Sequence, residues 1–183
     1  MFIDVTSPPH NANGLNLDNF APFLSADVVG TTGGTLYVPR GIYRIAQNLT
    51  IAADIYFEQG ARLKLDPLVV VTLNGAVHAG AYQIFDVPFE GSTHQPLGNV
   101  IPNCVEQLLP QWWGARGDGV ADDSPPIQAA LAAARNSGVL GSGARGAVVF
   151  FLPGVYRITK SLNCTVGQFN LRGSGQYQSV LRG

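Results

Sequence analysis

The feature that most constrains the fold is a ten-residue sequence that occurs twice in the chain. LYVPRGIYRI at 36–45 matches VFFLPGVYRI at 149–158, with Arg40 treated as a one-residue insertion that aligns the two turns. Each copy has the pattern of a strand, a turn and a second strand. Each also follows a stretch of helical character, which is weak at 18–27 and strong at 124–136. The chain is therefore predicted to contain two copies of one supersecondary unit.

The stretch 124–136 carries the stronger helix pattern. Ser124 is the predicted N-cap, and Pro125 is predicted at the first helical position, where a missing N–H costs nothing. Asp122 and Asp123 place negative charge at the positive end of the helix dipole. One apolar stripe contains Ile127, Ala130, Leu131 and Ala134.

Short apolar strands are predicted between the two copies, from residue 54 to residue 85. One or two turn residues, such as Gly60 and Asn74-Gly75, separate them. That is too little linker for helical crossovers, and it suits either an antiparallel meander or a parallel coil. The repeat, the low charged fraction of 13% and the corner residues favour the coil, a parallel β-solenoid.

Charge and hydropathy argue against several classes of protein. The net charge is −1 without a Lys/Arg cluster, so nucleic-acid binding has no electrostatic support. No window approaches 18 uninterrupted apolar residues, so no membrane span is expected, and no signal peptide is visible. Cys104 and Cys164 lack metal-type spacing and are predicted to be unpaired thiols, with a disulfide as the open alternative.

The chain from Gln111 onward resembles the start of the pectate-lyase-like superfamily, in particular its branch of phage tailspikes and capsule depolymerases. The matching residues are Trp113-Gly114-Ala115, Gly117-Asp118-Gly119, Asp122-Asp123, Ile127-Gln128-Ala129-Ala130, Pro153-Gly154 and Tyr156-Arg157-Ile158. The resemblance implies a mainly β fold in which a short amphipathic helix caps the first rungs of a right-handed parallel β-helix. It also implies a homotrimer that binds or cleaves surface polysaccharides, with catalytic carboxylates on later rungs or between subunits.

Four segments are predicted on this basis. Residues 1–16 form an extended lead-in, 17–86 a small β-rich or β-helical domain, and 87–110 an irregular linker. Residues 111–183 form the capping helix and the first rungs. Because the Leu-Arg-Gly sequence at 171–173 recurs at 181–183, the rungs are expected to continue beyond residue 183 in a parent protein.

Three aspartates near the predicted helix have two interpretations. Asp118, Asp122 and Asp123 could offer oxygen ligands to Ca²⁺. Their spacing is not that of an EF-hand loop, and turn-forming and helix-capping roles explain all three. No metal ligand and no cofactor site is therefore predicted.

The remaining acidic and imidazole side chains give no pattern of a catalytic site. A glycoside acid/base pair would need two of the carboxylates at Glu58, Asp66, Asp86 and Glu90. Solvated strand-edge charges are the favoured interpretation. Triad chemistry has no support because no serine or cysteine in a nucleophile-elbow context accompanies the isolated histidines His10, His78 and His94. No catalytic residue is predicted.

Trp112, Trp113 and the tyrosines could stack on sugar rings. Trp113 is predicted to be buried where the linker meets the first rung. For Trp112, both burial and sugar stacking stay open. Tyr43 and Tyr156 occupy matched positions of the repeat, which predicts a shared structural role.

Two functions are expected from these observations. The first is the N-terminal structural and capping segment of a tailspike-like protein that binds and degrades a surface polysaccharide as a lyase or a glycoside hydrolase. The second is a non-enzymatic virion tail structural or host-adhesion module. In both cases the expected partners are further copies of the chain, as a trimer, a polysaccharide and other virion tail proteins. The expected location is the virion tail or an extracellular surface, and the segment alone is expected to be inactive.

Overall fold

A computed structural model shows a mainly β chain built from parallel strands. It describes residues 2–30, 33–136, 147–164 and 170–183. All ladders between its strands are parallel, and no sheet in these ranges closes into a barrel. The parallel pairing predicted from the repeat is therefore confirmed, and the antiparallel meander is wrong for these strands.

The first unit contains eleven strands and one helix. In chain order they are β1 (Phe2–Asp4), β2 (Leu15–Asp18), α1 (Phe20–Gly30), β3 (Thr35–Val38), β4 (Gly41–Ile45), β5 (Leu49–Ile51), β6 (Asp54–Phe57), β7 (Ala61–Leu65), β8 (Val70–Leu73), β9 (Val77–His78), β10 (Phe85–Asp86) and β11 (Asn99–Pro102). Three sheets have the orders β1-β3-β6-β9, β10-β7-β4-β2 and β11-β8-β5. Three consecutive strands, one in each sheet, thus form a layer, and the next three strands pair with them in the same order.

The two-residue period of the strands separates the core from the outer face. β3 and β6 pair Leu36 with Ile55, and both side chains are completely buried. Tyr37 and Tyr56, one position further along, therefore lie on the opposite, outer face of the sheet. The chain returns to the same sheet after about 20 residues, as a repeated layer requires.

The second unit repeats this organisation. It contains β12 (Gln107–Leu108), a 3-10 turn (Pro110–Trp113), β13 (Asp118–Asp122), α2 (Ser124–Asn136), β14 (Val148–Phe151), β15 (Gly154–Arg157), β16 (Asn170–Gly173) and β17 (Ser179–Arg182). Its sheets have the orders β12-β14-β16 and β13-β15-β17. α2 follows the second strand of its layer, just as α1 follows β2, so the predicted repeat of a helix followed by two strands is confirmed.

Equivalent hydrogen bonds show how closely the two units agree. The Tyr43 hydroxyl donates to the carbonyl oxygen of Pro39, and the Tyr156 hydroxyl donates to that of Leu152, each at 2.9 Å and four residues back. Both tyrosine side chains are completely buried or nearly so. Their shared structural role is confirmed. These two hydrogen bonds align residues 36–45 with residues 149–158 without a gap, so the predicted insertion at Arg40 is wrong.

A polar side chain within each helix links it to its unit. Asp27 of α1 accepts the N–H groups of Ala52 and Ala53 at 2.8 and 2.7 Å, and Gln128 of α2 accepts that of Asn163 at 2.7 Å. α1 packs against β1, β3 and β5, whereas α2 packs against the 3-10 turn, β11 and β14. α2 therefore contacts strands of both units. Within the described ranges, neither helix is long and apolar enough to cross a bilayer.

The predicted extended lead-in and the predicted irregular linker both contain paired strands. β1 lies within 1–16 and pairs with β3, while β11 and β12 lie within 87–110 and pair with β8 and β14. The buried side chains of Val87, Val100 and Leu108 belong to one continuous core that includes residues of both units. The division of the chain into domains stays a prediction.

Candidate functional site

The N-terminus of α2 brings together more of the candidate polar residues than any other described part of the chain. The N–H of Ile127 donates to the carbonyl oxygen of Asp123 at 3.1 Å, so the N-cap is Asp123. The predicted cap at Ser124 is therefore wrong by one position, and Pro125 occupies the second helical position. The error arose because Pro125 was assigned to the first position on preference alone, although Pro126 follows it.

The two prolines decide what the Asp123 carboxylate does. An N-cap side chain ordinarily accepts the N–H of the second or third helical residue, but Pro125 and Pro126 have none. The carboxylate instead accepts the N–H groups of Arg116 and Gly117 at 2.7 and 3.1 Å. Asp123 is only 1% exposed. This buried side chain thus fixes the segment before β13 to the start of α2.

Asn19 has the same position in the first unit. Its N–H donates to the carbonyl oxygen of Arg44 at 2.7 Å, as that of Asp123 does to Arg157 at 2.9 Å. The Asn19 amide accepts the N–H of Asn13 and donates to the Asn13 carbonyl oxygen at 3.1 Å. A neutral amide therefore makes in one unit the link that a carboxylate makes in the other.

Asp122 lies beside the cap and is the most heavily hydrogen-bonded carboxylate of this region. One oxygen accepts the N–H and the hydroxyl of Ser124 at 3.0 and 2.6 Å, and the other accepts the Thr159 hydroxyl at 2.6 Å. His94 Nδ1 is 3.6 Å from the second oxygen. Burial raises the pKa of Asp122, but the hydrogen bonds from Ser124 and Thr159 outweigh it and bring the pKa to about 2.

This geometry does not prepare Ser124 for nucleophilic catalysis. Its hydroxyl donates to Asp122 and accepts the N–H groups of Thr159 and Lys160 at 2.8 and 3.2 Å. A nucleophilic serine would instead donate to a base such as histidine. The arrangement ties α2 to the chain that follows β15.

Acid is expected to weaken the fold through Asp122. Its pKa of about 2 lies below the ordinary 3.8, so its contribution to stability is present above about pH 4 and is lost as the pH falls through about 2. The free energy of unfolding should therefore fall more steeply between these pH values in the natural protein than in Asp122→Asn. Urea unfolding at a series of pH values measures both slopes, and equal slopes would contradict the assignment.

Asp118, the third aspartate, closes a turn. One carboxylate oxygen accepts the N–H groups of Val120 and Ala121 at 2.9 and 2.8 Å, and these bonds lower its pKa. The turn-forming and capping roles predicted for the three aspartates are thus confirmed, with Asp123 as the cap. In the described part of the chain, no group of three or more His, Cys, Asp or Glu side chains could hold a metal ion.

The other candidate carboxylates have separate partners. Asp66 makes a bidentate ion pair with Arg44 at 2.8 and 2.6 Å. Glu58 accepts the N–H of Arg40 at 2.8 Å. Glu90 accepts the hydroxyl of its neighbour Thr93 within one corner of the chain. Asp86 lies in β10 opposite Lys64. These contacts suit charges at strand ends and corners.

Neither tryptophan is available to a ligand. Trp112 and Trp113 are both at least 95% buried and both contact Phe85, with ring centroids 6.5 and 5.2 Å away. Trp112 Nε1 donates to the carbonyl oxygen of Gly80 at 3.0 Å. The predicted burial of Trp113 is confirmed, and Trp112, which the sequence left open, has a structural role as well.

More accessible aromatic side chains lie elsewhere. The sequence left the tyrosines open as candidates for sugar stacking but did not bring any of them together as a cluster. Phe2, Tyr37 and Tyr56 form one cluster on the outer face of the β1-β3-β6-β9 sheet. The signal was present in the alternation of β3 and β6, where buried apolar residues flank each tyrosine. Once the register between β3 and β6 is known, this alternation places both tyrosine rings on the outer face of the sheet.

One protein-family model matches part of the chain. Residues 112–183 match the family model described as rhamnogalacturonase A/epimerase, pectate lyase-like. No curated protein and no solved structure gives a significant match. The matched range begins inside the 3-10 turn and contains β13, α2 and β14 to β17. The match therefore supports the pectate-lyase-like superfamily for this part of the chain, and it is consistent with a function related to polysaccharides.

Proposed function

We propose that this chain is the N-terminal structural segment of a tailspike-like protein that binds and degrades a surface polysaccharide. Its layers are the first coils of a right-handed parallel β-helix, and α2 covers the first coil of the second unit. The observation that carries the proposal is that the family match covers most of the second unit, from within the 3-10 turn to β17, and includes α2. The parallel pairing of successive layers supports the β-helical arrangement.

The segment itself contributes structure and binding surface, and the bond cleavage is carried out by another part of the parent protein. The carboxylates at the start of α2 are occupied by backbone N–H and hydroxyl donors, which supports this division of roles. The parent is a homotrimer on a virion tail or an extracellular surface, where it contacts other tail proteins.

The purified 183-residue chain is expected to bind at least one bacterial surface polysaccharide without degrading it. Biolayer interferometry against a panel of immobilised capsular polysaccharides measures binding. Reducing-end release and the absorbance of unsaturated uronates measure degradation. Light scattering should give three times the chain mass of 19.4 kDa.

Three outcomes would count against parts of this proposal. Absence of binding to every polysaccharide would contradict the saccharide partner, new reducing ends would contradict an inactive segment, and a monomeric mass would contradict the trimer. The same degradation assay on the parent protein separates a depolymerase from the alternative, a non-enzymatic tail or adhesion module.

A further inference from the structure

The outer face of the β1-β3-β6-β9 sheet carries three aromatic rings in mutual contact. The centroids of Phe2, Tyr37 and Tyr56 form a nearly equilateral triangle with sides of 6.0, 5.8 and 5.8 Å. The two tyrosine rings are stacked at 24°, and the Phe2 ring meets both of them edge-on. Phe2 is 66% exposed and Tyr56 39%. We name this cluster the aromatic face.

The aromatic face borders a surface depression of about 420 Å³ that its three rings line. Small-molecule sites typically measure roughly 300–1,000 Å³, so the depression has a suitable size. Exposed apolar surface of this kind commonly marks a binding site. The ring faces offer a flat, weakly negative surface, which attracts the polarised C–H groups of a ligand.

Charged groups beside the rings restrict the kind of ligand. Asp4 pairs with Tyr37 in the sheet register, Tyr37 with Tyr56, and Tyr56 with His78, so the four residues form one outward row. Burial, followed by a hydrogen bond to Glu58 and the charges of Glu58 and Asp4, raises the pKa of Tyr37. Two carboxylates therefore lie close to the aromatic face. Thr6 donates to Asp4 Oδ1 and the Arg40 N–H donates to Glu58 Oε2, so the second oxygen of each carboxylate is the one that can accept hydrogen bonds from ligand hydroxyls.

The same carboxylates disfavour two other occupants. An acidic polymer would place its charges near Asp4 and Glu58, where like charges repel. A second copy of the chain, packed face to face, would bring together two sets of these carboxylates. A neutral ligand with many hydroxyl groups has neither problem.

We infer that the aromatic face binds a neutral saccharide. The rings of Tyr56 and Phe2 pack against the apolar C–H face of a sugar ring, while Asp4 and Glu58 accept hydrogen bonds from its hydroxyls. This inference rests on the proposed function for the saccharide class of the ligand, and it adds the location of the site and the charge of the polymer. It also places a binding site in the first unit, outside the range of the family match.

NMR titration of the full chain tests the inference. The tyrosine rings carry ¹³C labels, and the probes are maltohexaose, cellohexaose and chitohexaose, with hexagalacturonate as the acidic counterpart. At least one neutral hexasaccharide should shift the ring signals of Tyr37 and Tyr56, and hexagalacturonate should bind more weakly. Tyr56→Ala should raise the Kd about tenfold, the upper range for one aromatic contact, whereas Tyr56→Phe should keep the affinity.

Tyr177→Ala is the matched control because Tyr177 is 85% exposed but lies in the turn between β16 and β17. Loss of the Tyr177 ring should leave the Kd unchanged.

The inference is overturned if no neutral probe shifts the Tyr37 and Tyr56 signals, if Tyr56→Ala binds as tightly as the natural chain, or if Tyr56→Ala instead lowers the mass in solution. If the chain binds a capsular polysaccharide and Tyr56→Ala does not weaken that binding, the inference fails while the proposed function stands. If hexasaccharides bind at the aromatic face but no bacterial polysaccharide binds, the proposed function fails by itself.

Discussion

Replacing Gly75 with alanine is expected to lower the free energy of unfolding by about 3 kcal/mol. A Cβ atom at this position would lie 2.2 Å from the carbonyl oxygen of Ala53 and 2.5 Å from the nitrogen of Asp54. Both are backbone atoms of the corner between β5 and β6, which lies against the corner that contains Gly75. The methyl group can be accommodated only if the two layers separate.

The hydrogen bonds between these two corners explain why separation is costly. The N–H of Asn74 donates to the carbonyl oxygen of Ile51 at 2.8 Å, and the N–H of Ile55 donates to that of Ala76 at 2.9 Å. Moving the backbone apart weakens both bonds and the parallel ladders next to them. Urea unfolding followed by circular dichroism measures the loss.

Gly91→Ala is the matched control for Gly75→Ala. A Cβ atom on Gly91 would meet nothing within 4 Å, so the same chemical change has no steric consequence there. Its free energy of unfolding should equal that of the natural chain. If Gly75→Ala is as stable as Gly91→Ala, the close approach of the two corners is wrong.

Replacing Asp123 with alanine is expected to cost about 3 kcal/mol of the free energy of unfolding. The change leaves the N–H groups of Arg116 and Gly117 without an acceptor, and each unsatisfied buried donor costs roughly 1–3 kcal/mol. It also removes the link between the segment before β13 and the start of α2. Thermal and urea unfolding give the magnitude, and the helical signal near 222 nm reports on α2.

The equivalent residue of the first unit, Asn19, suggests Asp123→Asn as the control for Asp123→Ala. Asn19 makes the equivalent link with a neutral amide, whose oxygen accepts one N–H. Asp123→Asn can therefore keep one of the two bonds that the carboxylate accepts, and it should lose less stability than Asp123→Ala. Asp118→Ala should lose little, because the turn that Asp118 closes is exposed. If Asp123→Asn is as unstable as Asp123→Ala, a neutral acceptor cannot replace the carboxylate, and our explanation of the cap fails.

The sequence predicted the repeated unit well because hydrophobic alternation and the helix pattern are local properties. The strands around Tyr43 and Tyr156 and the extent of α2 follow directly from them. The insertion at Arg40 was wrong because the alignment followed proline, whereas the fold fixes the buried tyrosine hydroxyl four residues after its acceptor. Similarly, the cap at Ser124 was wrong because the preference of proline for the first helical position is an equally poor guide for Pro125 and Pro126, whereas the hydrogen bond from Ile127 to Asp123 fixes the helix start.

The aromatic face could not be predicted from the sequence, for a different reason. Alternation shows that Tyr37 and Tyr56 point away from the core, but not that they are neighbours. That depends on the register between β3 and β6, which pairs the two residues directly. Phe2 belongs to a stretch that was predicted to be a lead-in, and only its pairing next to β3 brings it to the same face.

The long corner between β10 and β11 has a consequence for how such chains can vary. In the earlier layers, residues 46–48 and 66–69 connect the second strand to the third, but here the connection is 87–98. β11 nevertheless keeps its register with β8, and the extra chain folds on itself through a bridge between Phe89 and Pro96. Corner length is therefore independent of strand register, so loops can be inserted or exchanged at this position while the sheets stay unchanged.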